Sequence, residues 1–181
     1  MGKFKYQHES IYNVYSENVF TLSRRLFGVH TISVALPEGI YFHGFYFDKS
    51  PKAYAKLRAL DADLVTGDTF KRTADAVEGI GNNVNLDFAN MNFGSGAGEG
   101  ARKLTICGKS NTENNTINIK FFEVDSEGAP TGQSVTQVIE FAHTDDYEEK
   151  TFEIEPVSGA KKISFVFLPG CNFDFRWFKF S

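Results

Sequence analysis

Chemistry in a protein needs reactive side chains at a workable spacing, and this chain of 181 residues holds few of them. The four histidines, His8, His30, His43 and His143, stand far apart, and none falls in H-E-x-x-H, the helical pair that holds zinc. His43 alternates along an extended stretch, as a packed or surface histidine does. No serine occupies the G-x-S-x-G elbow that exposes a hydrolase nucleophile. Carboxylates pair in LDAD (60–63) and TDDYEE (144–149), but acids recur throughout a chain with 23 of them, so spacing singles out no acid/base pair for glycoside cleavage. GIGNN (79–83) has the glycines of a phosphate loop without the lysine or the helix that would complete one. The two cysteines, Cys107 and Cys171, are too few for a four-cysteine zinc site; they read as free thiols, or as a bridge if their strands meet.

The elements that must position any site read as strands. Ile32, Val34 and Leu36 alternate with polar or small neighbours, as do Val84, Leu86 and Phe88. The same period of two runs through TINIKFFEV (116–124), SVTQVIEF (134–141), KTFEIE (150–155) and KKISFVFL (161–168). Turn chemistry separates them at PEG (37–39), GSGAGEG (94–100), SEGAPTG (126–132), VSGAKK (157–162) and LPGCN (168–172). This pattern predicts an all-β fold, a β-sandwich of two antiparallel sheets. The helical candidate is SENVFTLSRRLF (16–27). Residues 1–50 read as an N-terminal extension or added hairpin, TISVALPEGIYFHGFYF (31–47), with a soft boundary at DKSPK (48–52) and the sandwich itself over 51–181.

The last strand poses its own problem. In FDFRWFKF (173–180) strict alternation puts Phe173, Phe175 and Trp177 on one face and Phe178 and Phe180 on the other. Such a strand is either buried between layers or bulged so that its register shifts. Asp174, Arg176 and Lys179 interrupt it and the stretch is short, which argues against a membrane anchor.

Bulk composition agrees with one self-sufficient core: 41% apolar and 15% aromatic residues. The net charge of -4, with Lys and Glu interspersed, offers no basic stripe for nucleic acid. No stretch approaches the roughly 20 apolar residues of a spanning helix, and MGKFKYQHES lacks the apolar core of a signal peptide.

From about residue 53 onward the order of motifs resembles the calcium-binding β-sandwich carbohydrate-binding modules of family 6 and its relatives, families 35 and 36. LRALDAD (57–63) matches an acid-Ala-acid first strand, EGIGNNVNLDF (78–88) a Gly turn leading into a strand, HTDDYEEKTFEI (143–154) a loop with an aromatic, and CNFDFRWFKF (171–180) the terminal strand. More narrowly, GDTF, DAVEGIGNNVNLDFANMNFG, KLTICGKS, NTINIKF and FVFLPGCNFDFRWFKF look like modules on the C-terminal side of bacterial family 2 β-galactosidases.

The resemblance implies a non-catalytic module that holds an attached glycoside hydrolase on polysaccharide or oligosaccharide, secreted or at the cell surface. It implies a structural Ca2+ ion held by Asp61, Asp63 and Asp174, although Arg176 stands where the family has the acid next to the Trp. It gives Tyr147 the stacking position and Asn172 the hydrogen-bonding amide, with Asn82 and Asn83 as further amides. Against these stand plainer roles: a half-exposed tyrosine among solubilising acids, and asparagines serving turns of positive φ. The rival function is a structural accessory or protein-interaction sandwich without sugar affinity. A single Trp, and no row of aromatics, points away from a flat crystalline polysaccharide and towards a cleft for one or two sugars or a soluble chain.

Overall fold

The computed structural model describes residues 15–18, 20, 31–45, 52–94 and 100–181. The chain divides into two compact units, Met1–Asp48 and Lys49–Ser181. In the first, the described residues contain a turn at 38–39, with Gly39 at φ 86°, and no strand. Ile32, Val34 and Leu36, expected as a half-buried strand, are all exposed. Alternation makes a strand only where a ladder and a core receive it, and neither is present among these residues. The helix expected over 16–27 lies largely outside the described residues.

The second unit is the expected all-β sandwich. One sheet runs β3 (Lys71–Arg72), β4 (Val77–Ile80), β11 (Phe173–Phe180), β6 (Ala101–Ser110) and β9 (Glu148–Val157), with β1 (Leu57–Arg58) lying beside the second half of β11. The other runs β2 (Leu64–Thr66), β5 (Val84–Asn92), β10 (Ala160–Phe167), β7 (Asn114–Val124) and β8 (Pro130–Ala142). Every pairing is antiparallel. Two sheets of half-buried strands form because each strand is apolar on one face and must cover it against the other sheet.

The interior is a phenylalanine lattice. Phe178 meets Phe88 and Phe165 of the opposite sheet with ring centroids 4.7 Å apart in both pairs, and Phe173 meets Phe141 at 5.0 Å. Such pairs contribute about 0.5–1.5 kcal/mol each beyond the area they bury. Gly108 is part of this packing, since a Cβ there would fall 2.1 Å from Cζ of Phe173.

The terminal strand resolves its two-faced pattern with a bulge. The β11–β6 register shifts between Phe175 and Trp177, so Phe178 pairs with Ile106 and Trp177 with Cys107. The extra residue, Arg176, returns Phe178 and Phe180 to the inner face that Phe173 and Phe175 already occupy, and all four are fully buried. Trp177 therefore turns outward with Cys107, rather than inward with Phe173 and Phe175 as strict alternation would have it. The same geometry keeps the two thiols apart: Cys107 lies on the outer side of β6, Cys171 precedes β11, and both are free.

Candidate functional site

Antiparallel pairing brings four connections to one end of the sandwich. Val84 pairs with Phe167, Ile117 with Phe167, Ser110 with Phe173, Asn114 with Ala142 and Gly108 with Glu148. The loops 81–83, 111–113, 143–147 and 168–172 therefore cluster. Tyr147, Asn172, Asn82 and Asn83 all sit in these loops, on sequence positions up to 90 residues apart (172 − 82).

A polar knot fixes the loops. Asn115, 1% exposed, donates through Nδ2 to Ser110 Oγ and to the Asn172 carbonyl at 3.3 Å. Its Oδ1 accepts from the Asn172 N–H at 3.0 Å and from the Cys171 thiol at 2.8 Å. Asn172, itself exposed, accepts at Oδ1 from Asn111 Nδ2 at 3.1 Å, so its amide oxygen is held in place by a neighbouring loop. Burial pushes the Cys171 thiol up to about 12, which keeps it protonated and donating. Asn83 adopts φ 52°, so it serves its turn as well as presenting an exposed amide; Asn82 beside it is also exposed.

Tyr147 stands where this end meets the outer face of the sheet that holds β11. Its hydroxyl donates to Glu78 Oε1 at 3.3 Å, an oxygen that also accepts from Thr73 Oγ1 at 3.2 Å. The Arg176 guanidinium lies 3.9 Å from the ring centroid and pairs with Asp75 at 3.2 Å. Asp174 accepts the Gly79 N–H at 2.7 Å. Burial raises the phenol pKa, and the negative charges of Asp174 and Glu78 raise it further, so the hydroxyl remains a donor at any ordinary pH. One ring face is thus covered by a cation.

Trp177 is not a stacking surface in this conformation. It is 8% exposed, with Lys56 Nζ 3.5 Å from the ring centroid. Glu78, Asp75 and Arg176 were not singled out as partners of Tyr147 in the sequence. Arg176 carried one signal, its place in a strand of clashing face patterns; Glu78 carried none, because its partner lies 69 residues away.

The three aspartates given to calcium do not form a cage. Asp61 is held by Arg58 in a two-pronged contact, 2.6 Å from Nη2 to Oδ1 and 3.1 Å from Nε to Oδ2. Asp63 accepts from Lys52 Nζ at 3.2 Å and from the Ala89 N–H at 2.7 Å, and Asp174 is held by Gly79. No group of three or more His, Cys, Asp or Glu side chains arranged to hold a metal occurs among the described residues. Calcium takes six to eight oxygens, and these carboxylates are already engaged with cations and peptide N–H groups of the chain, so the residues present do not fit the ion.

The architecture is that of carbohydrate-binding-module β-sandwiches. Among solved structures, it is similar to CsCBM6-3 from Clostridium stercorarium in complex with cellobiose, at 24% identity over 71% of this chain and 94% of that one, with a TM-score of 0.57. A family 6 module from Clostridium cellulolyticum in complex with xylose matches at 23% identity over 71% of this chain and 98% of that one, TM-score 0.54. A family 43 arabinoxylan arabinofuranohydrolase from Bacillus subtilis, in complex with cellotetraose, matches at 18% identity over 79% of this chain and 30% of that one, TM-score 0.55. No protein-family model and no curated protein matches the chain.

Proposed function

We propose that the chain is a non-catalytic carbohydrate-binding module that holds an attached glycoside hydrolase, outside the cell, on glycan. The carrying observation is the gathering of Tyr147, Asn172, Asn82 and Asn83 at one end of a sandwich whose fold neighbours were solved with cellobiose and xylose. Tyr147 offers one ring face to the C–H patch of a pyranose, and the amides of Asn172, Asn82 and Asn83 offer hydrogen bonds to hydroxyls. The fixed oxygen of Asn172 and the fixed hydroxyl of Tyr147 lower the ordering cost of binding.

The test is affinity electrophoresis through xylan, β-glucan, galactan and arabinan gels, followed by titration calorimetry with cellobiose and xylose. We expect retardation by at least one polymer, reduced in Tyr147→Ala. A second reading, a structural accessory sandwich without sugar affinity, is favoured by the cations laid over Tyr147 and Trp177. It predicts free migration in every gel at concentrations that detect a millimolar Kd, or about 4 kcal/mol of binding.

A further inference from the structure

Lys52 lies in the 3-10 turn Lys52–Tyr54 ahead of β1, and among the described residues its ammonium reaches the two oxygens that follow. Nζ donates to the Ala89 carbonyl at 2.7 Å and to Asp63 Oδ2 at 3.2 Å. The same Asp63 oxygen accepts the Ala89 N–H at 2.7 Å, and the Asp63 N–H donates to the Asp87 carbonyl at 2.8 Å. One ammonium, one carboxylate and the two main-chain groups of Ala89 in β5 therefore close a ring. The Lys52 side chain is 13% exposed and that of Asp63 45%, so the cation is the more sheltered partner.

A hard cation at this place would recruit the same oxygens: the Asp63 carboxylate and a main-chain carbonyl of β5. Here those oxygens face a positive charge that the chain itself carries, at hydrogen-bond lengths rather than the 2.3–2.6 Å of calcium coordination. We propose that the Lys52 ammonium is the resident cation of this site. It neutralises Asp63 within the chain, as Arg58 neutralises Asp61, and so takes over at these carboxylates the charge-balancing work that the resemblance assigns to calcium. The fold is then independent of divalent ions, and its closure at this edge depends on a single lysine. The inference stands apart from sugar binding, since none of its residues lies among the loops that gather Tyr147 and Asn172.

The experiment is thermal unfolding of the full chain, followed by circular dichroism, in EDTA and in millimolar calcium chloride. The wild-type midpoint is expected to differ by less than about 2 °C between the two; a larger fall in chelator overturns the proposal. Lys52→Met, which keeps the length of the stem and removes the charge, is expected to lower the midpoint by about 3 °C or more in both buffers, because Asp63 loses its counter-charge. A fall below that overturns the proposal too. In a double-mutant cycle with Asp63→Asn, the paired loss is expected to be smaller than the sum of the single losses; simple additivity would count against the pair. Should Lys52→Met fail to fold, the wild-type chelator comparison and Lys52→Arg, expected to retain most of the midpoint, still decide the matter.

Discussion

Tyr147 has an Arg176 guanidinium over one face and a glutamate on its hydroxyl, so under the proposed function its ring and its hydroxyl can be tested separately. Tyr147→Ala should weaken sugar binding by about tenfold, or roughly 1.4 kcal/mol, through loss of the stacking surface. Tyr147→Phe, which removes only the contact with Glu78, should keep the affinity within about threefold, roughly 0.7 kcal/mol, by calorimetry. At Cys171, the folded pKa of about 12 lies above the 9.0 of the free thiol. A raised pKa favours the protonated form in the folded state, so this contribution is complete below about pH 9 and fades as pH climbs towards 12. At pH 8 the folded chain should therefore react with a thiol-disulfide reagent at Cys171 at least about tenfold more slowly than the chain in guanidinium, the smaller thiolate fraction outweighing the greater nucleophilicity of a higher-pKa thiolate.

Elements, rather than residues, decide how the loops hold their places. Asn115 ties β7 to the β10–β11 loop and, through Ser110, to β6, with four hydrogen bonds of its own side chain. Asn115→Ala should cost about 2–4 kcal/mol in urea unfolding, because two peptide groups, a hydroxyl and a thiol lose their partner. Gly108→Ala tests the other side of the strand pair: the new methyl meets the Phe173 ring, and overpacking of this kind costs about 1–3 kcal/mol. Both losses should appear in the midpoint with no change in the denaturant slope. An outlying edge is finished in the same economical way. The Gln137 amide donates to the Glu155 carbonyl at 3.0 Å and accepts its N–H at 2.8 Å, imitating a strand partner for β9.

At the scale of the whole molecule, the buried apolar core among the described residues lies within 53–180, and the contacts divide the chain after Asp48. Residues 49–181 alone should therefore fold with native strand content, read by circular dichroism and by dispersed amide signals in NMR; a collapsed or aggregated fragment would mean that residues 1–48 complete the core. Lys52 must remain in any such fragment, since it holds Asp63 and Ala89.

Local pattern was enough to specify the architecture. Period-two alternation in stretches such as 134–141 and 161–168, with turn residues between them, led to two antiparallel sheets because a strand apolar on one face has few ways to cover it. The candidate sugar-binding residues were legible from motif order, and the loops that carry them converge because antiparallel strands return to the same end. Partnership was not legible. Alternation cannot say that Arg176 is the extra residue of a bulge, that it covers Tyr147, or that Glu78 receives the phenol. Nor can an acid-Ala-acid motif say what faces it: Asp61 found Arg58, and Asp63 found Lys52. Sequence spacing determines which face of a strand a side chain takes, whereas its partner, whether three residues away as Arg58 is from Asp61 or 69 away as Glu78 is from Tyr147, is decided only when the chain has folded.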